Sequence, residues 1–156
     1  MSGDGAPPAD TIAADGLRVA VVASRWYGEV TDAMTDSAIT TCADAGATAD
    51  VFRVSGAFEL PLVCAAVAPD YDAVVALGLV VRGGTPHFDY VCRAATDGLT
   101  RVALDTGTPV GFGVLTCDSL DQARDRAGLP HSTEDKGREA ALAALETALL
   151  LRSLRA

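Results

Sequence analysis

The sequence predicts an α/β protein: a three-layer, flavodoxin-like sandwich in which helices flank a four-stranded parallel sheet of strand order 2-1-3-4. Short apolar segments alternate with helix-length segments along the whole chain, which is the pattern of right-handed βαβ units. Residues 73–81 (AVVALGLVV) are apolar throughout, as expected of a central strand buried on both faces. Hydrophobic residues make up 49% of the chain but aromatic residues only 5%, so we expect closely packed layers of Ala, Val and Leu.

The first half of the chain contains two strand-and-helix units. The predicted strands are residues 17–23 and 48–54. The first helix is predicted over residues 27–45, closed by Gly46, because glycine is favoured just after a helix end. The second is predicted over residues 58–68, with Pro61 in its first turn, where a missing N–H does little harm.

The second half contains the remaining elements. After the central strand, Thr85 is a natural N-cap and Pro86 a natural first residue for a helix over residues 86–105. A fourth strand (109–116), a short helix ended by Gly128 (119–127) and a terminal helix (136–155) complete the predicted order.

The length of 156 residues and the uniform alternation predict a single domain over residues 17–156. Residues 1–16 are small, acidic and proline-containing, and we expect a flexible N-terminal tail there. This segment has neither the basic start nor the apolar run of a signal peptide, and no segment of the chain has the length and apolarity of a membrane span. The expected location is therefore the cytoplasm.

The composition excludes several classes of partner and site. The net charge of −9 provides no basic face, so nucleic acid and anionic membranes are not expected as partners. The four cysteines lie far apart and no His/Asp/Glu cluster has metal-ligand spacing, so neither a zinc site nor a disulfide framework is predicted. Cys117 alone lies beside a candidate site, and the sequence leaves its role open.

The unusual residues follow the predicted strands, where ligands bind in open parallel sheets. They are residues 24–26 (SRW), 55–59 (SGAFE), 82–87 (RGGTPH) and 116–117 (TC). Four loops from distant parts of the chain are therefore expected to converge on one edge of the sheet.

The chemistry of these residues suits a small anionic ligand and a flat ring. Gly83 and Gly84 precede a helix N-terminus, a combination that lets backbone N–H groups approach a phosphate. His87, in the first helical turn, can take up and release protons near neutral pH. Trp26 could stack on a heterocycle, and Glu59 could accept hydrogen bonds from sugar hydroxyls.

Each of these residues also has a purely structural interpretation. The glycines and His87 could form a loop and a cap without a ligand, and Trp26 could be a core residue. Glu59 suits the positive end of a helix whether or not it binds anything. Arg126 and Lys136 flank the loop 129–135, where basic residues are ordinarily solvated, and His131 within that loop is expected to face solvent.

Taken together, the segments resemble the lumazine synthase family. Residues 56–61 (GAFELP) are similar to its Gly-Ala-Phe-Glu-Ile-Pro motif, and residues 82–91 (RGGTPHFDYV) to its Arg-Gly-x-Thr-Pro-His-Phe-Asp-Tyr-Val motif. Similar segments follow in order at 113–116 (GVLT), 122–128 (QARDRAG) and 136–137 (KG). The departures are small: Leu60 replaces Ile, Gly84 fills the variable position, and Asp135 stands where Asn often precedes Lys-Gly.

The resemblance implies an activity and a set of roles. The implied reaction of riboflavin biosynthesis condenses 5-amino-6-(D-ribitylamino)uracil with 3,4-dihydroxy-2-butanone 4-phosphate to 6,7-dimethyl-8-ribityllumazine, by a transferase that uses no metal or organic cofactor. His87 is the implied proton-transfer residue. The implied pyrimidine and ribityl ligands are Trp26, Ala57, Glu59 and the backbone near Val80 and Val81. The implied phosphate ligands are Gly84, Thr85 and Arg126, and Phe112 and Lys136 complete the pocket.

The resemblance also implies a homopentamer with active sites between subunits, Phe112 coming from the neighbour. The loop 129–135 is longer than in members that form icosahedral shells, which favours a free pentamer. Three alternatives stay open at this point. They are a related archaeal-type riboflavin-forming enzyme, a flavodoxin-like flavin carrier or receiver module, and a non-catalytic lumazine-binding shell protein. A receiver would need acidic residues after the first strand, where the chain has Ser24 and Arg25, and a flavodoxin would need a phosphate loop there.

Overall fold

A computed structural model describes Gly5 and residues 12–156. Four strands form one sheet in the order β2-β1-β3-β4, and every neighbouring pair is parallel. The strands are β1 (Arg18–Ser24), β2 (Thr48–Val54), β3 (Ala73–Val81) and β4 (Val110–Cys117). The predicted fold class and strand order are confirmed.

Five α-helices connect and flank these strands in the described residues. They are α1 (Gly28–Asp44), α2 (Leu60–Val67), α3 (His87–Thr106), α4 (Leu120–Arg124) and α5 (Lys136–Arg155). None of them is long and apolar enough to cross a membrane.

Both faces of the sheet carry a hydrophobic core, which makes the three layers. On one face, Val21 and Leu77 pack with Met34 of α1 and Leu145 of α5. The other core joins alternate strand residues to α2 and α3; its members include Val22, Ala76, Leu60 and Leu99. Because successive strand side chains point to opposite faces, β3 must be apolar at every position to supply both cores.

Small residues set the distances between the helices of each outer layer. A Cβ placed on Gly137, near the start of α5, would lie 2.8 Å from the Cα of Met34 in α1, so these two helices touch through their backbones. A Cβ on Gly98 of α3 would lie 2.7 Å from Pro61 of α2. The scarcity of aromatic residues therefore accompanies an interior of close backbone approaches rather than large side chains.

Several predicted boundaries differ from the structure by one to three residues, those of α4 and α3 among them. The short helix α4 ends at Arg124 instead of residue 127, because Ala127 pairs with Asp135 in an isolated antiparallel bridge. Helix α3 begins at His87, one residue later than predicted, with Pro86 at the N-cap. The first turn there is tight, since the N–H of Asp89 donates to the carbonyl of Pro86 (3.0 Å).

The predicted N-terminal tail falls mostly on residues 1–11, which apart from Gly5 lie outside the described residues. Where the description resumes, the chain already belongs to the packed domain. Ala14 is buried in the core, its N–H donates to the carbonyl of Ala45 (2.7 Å), and Ile12 packs against the same cluster. Packing therefore begins before the predicted boundary at residue 17.

Candidate active site

The carboxyl ends of the four strands meet at one edge of the sheet, called here the ligand edge. Ser24 pairs with Val54 at the ends of β1 and β2, and Val81 pairs with Cys117 at the ends of β3 and β4. The strand order reverses between β1 and β3, which is where a ligand crevice opens in such sheets. The predicted convergence of four loops is confirmed.

The end of β3 leaves part of its backbone open to this crevice. Pairing of β3 with β1 ends at Leu77, whereas β3 continues to Val81 along β4. Val80 and Val81 are half-buried. Beyond Leu77, the side of β3 that faces β1 therefore presents backbone donors and acceptors to whatever occupies the crevice.

Trp26 lies on the surface beside the crevice. Its side chain is 64% exposed, so the core interpretation of this residue is wrong. Arg25, Trp26 and Ser55 line an open cleft of about 390 Å³. Tyr27 follows with its ring centroid 6.2 Å from that of Trp26, at a left-handed backbone angle (φ 56°) that starts α1. Nothing in the sequence pattern predicts that conformation for a tyrosine.

The loop after β2 brings Glu59 near Trp26, since both side chains lie within 4 Å of a Cβ placed on Gly56. One carboxylate oxygen of Glu59 accepts the N–H of Gly56 (2.8 Å), and Gly56 in turn lies close to the Trp26 ring. Ala57 is buried beneath this turn. Glu59 therefore stabilises the turn that begins at Gly56, a structural role that needs no ligand. Its second carboxylate oxygen is available to a ligand hydroxyl.

The glycine loop after β3 is exposed from Arg82 to His87. A Cβ on Gly83 or Gly84 would meet nothing within 4 Å, so no neighbouring group packs against these positions. The hydroxyl of Thr85 accepts the N–H of His87 (3.4 Å), but the N-cap of α3 is Pro86 and has no side-chain cap, so the N-cap position predicted for Thr85 is wrong by one residue. His87 is exposed at the N-terminus of α3.

Arg126 is half-buried just after α4, and its Nη1 donates to the carbonyl of Gln122 (2.8 Å). The neighbouring Cys117 thiol is buried, and burial raises its pKa although the positive charge of Arg126 acts in the opposite direction. A buried thiol with a raised pKa is a poor nucleophile, so the structure favours a packing role for Cys117.

Lys136, the first residue of α5, is only 8% exposed. Its ammonium pairs with the carboxylates of Glu134 and Glu139, the latter at 2.7 Å, and its backbone N–H donates to the carbonyl of Arg126 (2.9 Å). Burial alone lowers the pKa of Lys136, but the two carboxylates offset this and hold the pKa above its ordinary value. The lysine is therefore a fixed positive charge next to the segment that carries Arg126.

Phe112 does not lie at the ligand edge of its own chain. It occupies the middle of β4, five residues before Cys117, which is about 16 Å along a strand. Its side chain is nevertheless 47% exposed. The structure thus brings the other predicted strand-end and loop residues to one edge and leaves Phe112 away from them. His131, as predicted, is exposed.

Arg82 is the site-adjacent residue whose role the sequence does not indicate. Its guanidinium contacts Asp118 (2.7 Å) and Asp89 (3.5 Å) and lies 4.2 Å from the ring centroid of Phe88. The hydrogen bond to Asp118 is the main cause that raises the pKa of Arg82. Arg82 is the first residue of the motif at residues 82–91, but its main contact, Asp118, lies on a loop 36 residues away.

Known proteins resemble this chain over almost its whole length. A family profile described as 6,7-dimethyl-8-ribityllumazine synthase matches residues 16–152. A protein of that name from Frankia casuarinae is 62% identical over 99% of this chain and 98% of its own length. Namesakes from Kocuria rhizophila (61%; 97% and 99% covered) and Salinispora arenicola (58%; 99% and 93%) are similar. The chain therefore belongs to the 6,7-dimethyl-8-ribityllumazine synthase family.

Proposed function

We propose that the ligand edge of the sheet is where this enzyme brings its two substrates together. The reaction itself follows from the family. The enzyme is a transferase of riboflavin biosynthesis that condenses 5-amino-6-(D-ribitylamino)uracil with 3,4-dihydroxy-2-butanone 4-phosphate, giving 6,7-dimethyl-8-ribityllumazine and phosphate. The observation that carries the placement is that an exposed indole follows β1 and a helix N-terminus bearing a histidine follows the neighbouring strand β3, at the same edge of the sheet.

The pyrimidine half of the site is proposed on the side of β1 and β2. Trp26 stacks on the pyrimidine ring, since its face is exposed beside the cleft. The open backbone of Val80 and Val81 hydrogen-bonds the ring edge, and Ala57 and Glu59 hold the ribityl chain. The free lone pairs of the Glu59 carboxylate support this last role.

The phosphate half is proposed between the glycine loop and α4. Gly84 and Thr85 offer backbone N–H groups at the positive end of α3, which favours an anion. Arg126 supplies a guanidinium, and Lys136 helps to hold the Arg126 segment in place, because its backbone N–H donates to the carbonyl of Arg126. A guanidinium and a helix N-terminus are local groups that can bind a phosphorylated substrate even in an enzyme with a net charge of −9.

His87 is proposed as the proton-transfer residue. One amine of the pyrimidine adds to the ketone and water leaves, and phosphate is then eliminated. The second amine adds to the carbonyl that results, and loss of a second water closes the ring. Amines and ketones condense readily once aligned, so positioning the two substrates contributes a large part of the rate. The imidazole at the start of α3 is placed to take a proton from the adding amine and return one to a leaving group.

The proposed assembly is a homopentamer whose active sites lie between subunits. Large apolar side chains are exposed on the described surface: Phe58, Leu62, Tyr90, Leu104, Phe112, Leu150 and Leu154. One subunit cannot bury them, which supports self-association. The mid-strand position of Phe112 supports its contribution to a neighbour's site, and native mass spectrometry would test the pentamer. The four free cysteines support the proposed cytoplasmic location.

The decisive experiment is to mix the enzyme with both substrates and follow lumazine absorbance and fluorescence. We expect lumazine and one equivalent of phosphate. An archaeal-type riboflavin-forming enzyme would instead convert added lumazine to riboflavin, and a non-catalytic binder would do neither. To test the placement, the same assay is run on Trp26→Ala, which should raise the KM for the pyrimidine and leave that for the phosphorylated ketone unchanged. Unchanged pyrimidine KM would contradict the placement.

A further inference from the structure

A single arginine side chain ties the loop after β3 to the loop after β4. The Nε of Arg82 donates to the carboxylate of Asp118 (2.7 Å), which directly follows β4. Its Nη1 faces Asp89 (3.5 Å) and its guanidinium stacks on the ring of Phe88 (4.2 Å to the centroid). One side chain therefore contacts both the first turn of α3 and the segment that leads to α4.

The contacts continue from Asp118 to Arg126. The backbone N–H of Asp118 donates to the side-chain oxygen of Gln122 (2.8 Å), and the carbonyl of Gln122 accepts Nη1 of Arg126 (2.8 Å). A continuous chain of hydrogen bonds thus runs from Arg82 to Arg126. On its other side, Arg82 holds the two residues that follow His87.

Packing does not hold the two glycines of the loop that runs from Arg82 to His87. In the part of the chain that the structure describes, no atom outside the adjacent residues lies within 4 Å of a Cβ placed on Gly83 or Gly84, so no other group packs against these two positions. The Arg82 side chain is itself 49% exposed, and ion pairs at that exposure contribute only about 0–1 kcal/mol to stability. Its contacts matter more for geometry than for the free energy of unfolding.

We propose that Arg82 is a positioning residue of the phosphate subsite, holding the Thr85–His87 end of the glycine loop at a fixed distance from Arg126. This inference rests on the proposed placement of the phosphorylated substrate between Thr85 and Arg126. The physical reason is that two groups on separate loops bind one phosphate well only when their spacing is fixed in advance. The planar guanidinium suits this task, because it contacts Asp118, Asp89 and Phe88 at once.

The test compares Arg82→Met, Arg82→Lys and Asp118→Asn. The measurements are inorganic phosphate affinity by calorimetry and the KM of each substrate. We expect Arg82→Met to weaken phosphate binding and to raise the KM of the phosphorylated ketone about tenfold, as small displacements of binding groups do. The pyrimidine KM should stay within about twofold of the wild-type value. Trp26, Ala57 and Glu59 lie on other loops, and pairing with β4 holds the backbone of Val80 and Val81 in place.

The other two variants separate positioning from charge. Arg82→Lys keeps the positive charge but loses the planar guanidinium that contacts three residues at once, so we expect its phosphate affinity to resemble that of Arg82→Met. Full recovery of phosphate affinity with lysine would overturn the inference, because charge alone would then suffice. Asp118→Asn should also weaken phosphate binding. A stronger affinity in that variant would overturn the inference too, since it would show that a released Arg82 binds phosphate directly.

The matched control is Arg18→Met. Arg18 likewise pairs with a carboxylate, Asp50 (3.7 Å), and lies over an aromatic ring, Tyr71 (4.8 Å), but at the opposite edge of the sheet. It should leave both KM values unchanged, and size-exclusion chromatography should show all variants in the wild-type assembly. Arg126→Ala is measured in parallel. If only Arg126→Ala loses phosphate affinity, the proposed placement stands and the role of Arg82 is refuted; if neither Arg82→Met nor Arg126→Ala loses it, both are refuted.

Discussion

The contact between α1 and α5 depends on the absence of one side chain, and Gly137→Ala tests it. The added Cβ would lie 2.8 Å from the Cα and 2.9 Å from the carbonyl carbon of Met34, whereas carbon atoms ordinarily stay about 3.5–4.0 Å apart. Because the obstacle is backbone and not a flexible side chain, one of the helices must move by about 1 Å to restore that separation.

The expected change in the free energy of unfolding of Gly137→Ala follows from two opposing contributions. Overpacking of this kind costs about 1–3 kcal/mol, and a rigid backbone neighbour places it at the upper end. Alanine regains up to about 1 kcal/mol of helix propensity. The net loss is therefore about 2 kcal/mol in the free energy of unfolding, equivalent to a fall in Tm of about 4–8 °C for a chain of this size. Turnover should also fall, since Gly137 directly follows Lys136.

Thermal unfolding at matched protein concentration measures the change. Gly28→Ala is the matched control, because Gly28 also lies in the first turn of its helix but its Cβ would come only within 3.6 Å of one side-chain oxygen, an ordinary contact. That variant should have an unchanged or higher Tm. If Gly137→Ala is as stable as Gly28→Ala, the backbone contact does not set the spacing of α1 and α5, and the packing argument is refuted.

Three further predictions concern the site and the buried thiols. His87→Ala should lower kcat about a hundredfold, the low end for a proton-transfer residue, with the pyrimidine KM unchanged; wild-type turnover at saturation would remove His87 from the mechanism. Arg126→Ala should lose about 1.5–3 kcal/mol of phosphate affinity by calorimetry, and an unchanged affinity would make it only a surface charge. Burial raises the pKa of Cys42 to about 11 and that of Cys64 to about 12, above the ordinary 9.0. A thiol whose pKa is higher in the folded than in the unfolded chain contributes its full stabilisation of the fold below the unfolded pKa, and this contribution is lost as the pH rises. The urea midpoint of unfolding should therefore fall as the pH rises above 9. A midpoint that rises there would contradict the prediction.

Much of the fold could be predicted because its signals are local. The apolar run Ala73–Val81 identifies a central strand by itself, and Thr48–Val54 and Lys136–Arg155 have the predicted bounds. The handedness of βαβ connections then leaves few arrangements of the sheet. The convergence of Trp26 and His87 follows from the same rule, since the ends of parallel strands lie together.

The errors occur where contacts between distant residues decide the local conformation. Helix α4 stops at Arg124 because Ala127 pairs with Asp135, and the pattern of residues 119–127 carries no sign of that partner. The predicted tail boundary misses Ala14, whose partner Ala45 lies at the end of α1. In each case a hydrogen bond across the fold outweighs the local propensity.

The sequence by itself determined the strand order, the edge of the sheet where the four loops meet and, through ordered motifs, the reaction, because periodicity and motif residues are properties of short segments. Only the tertiary structure decided that Trp26 is exposed, that Lys136 is buried between Glu134 and Glu139, and that Arg82 bridges two loops. Burial and pairing are properties of residues brought together from far along the chain. The spacing of the helices likewise depends on close approaches, of Gly98 to the Pro61 side chain and of Gly137 to the Met34 backbone, which become visible only when the helices are packed.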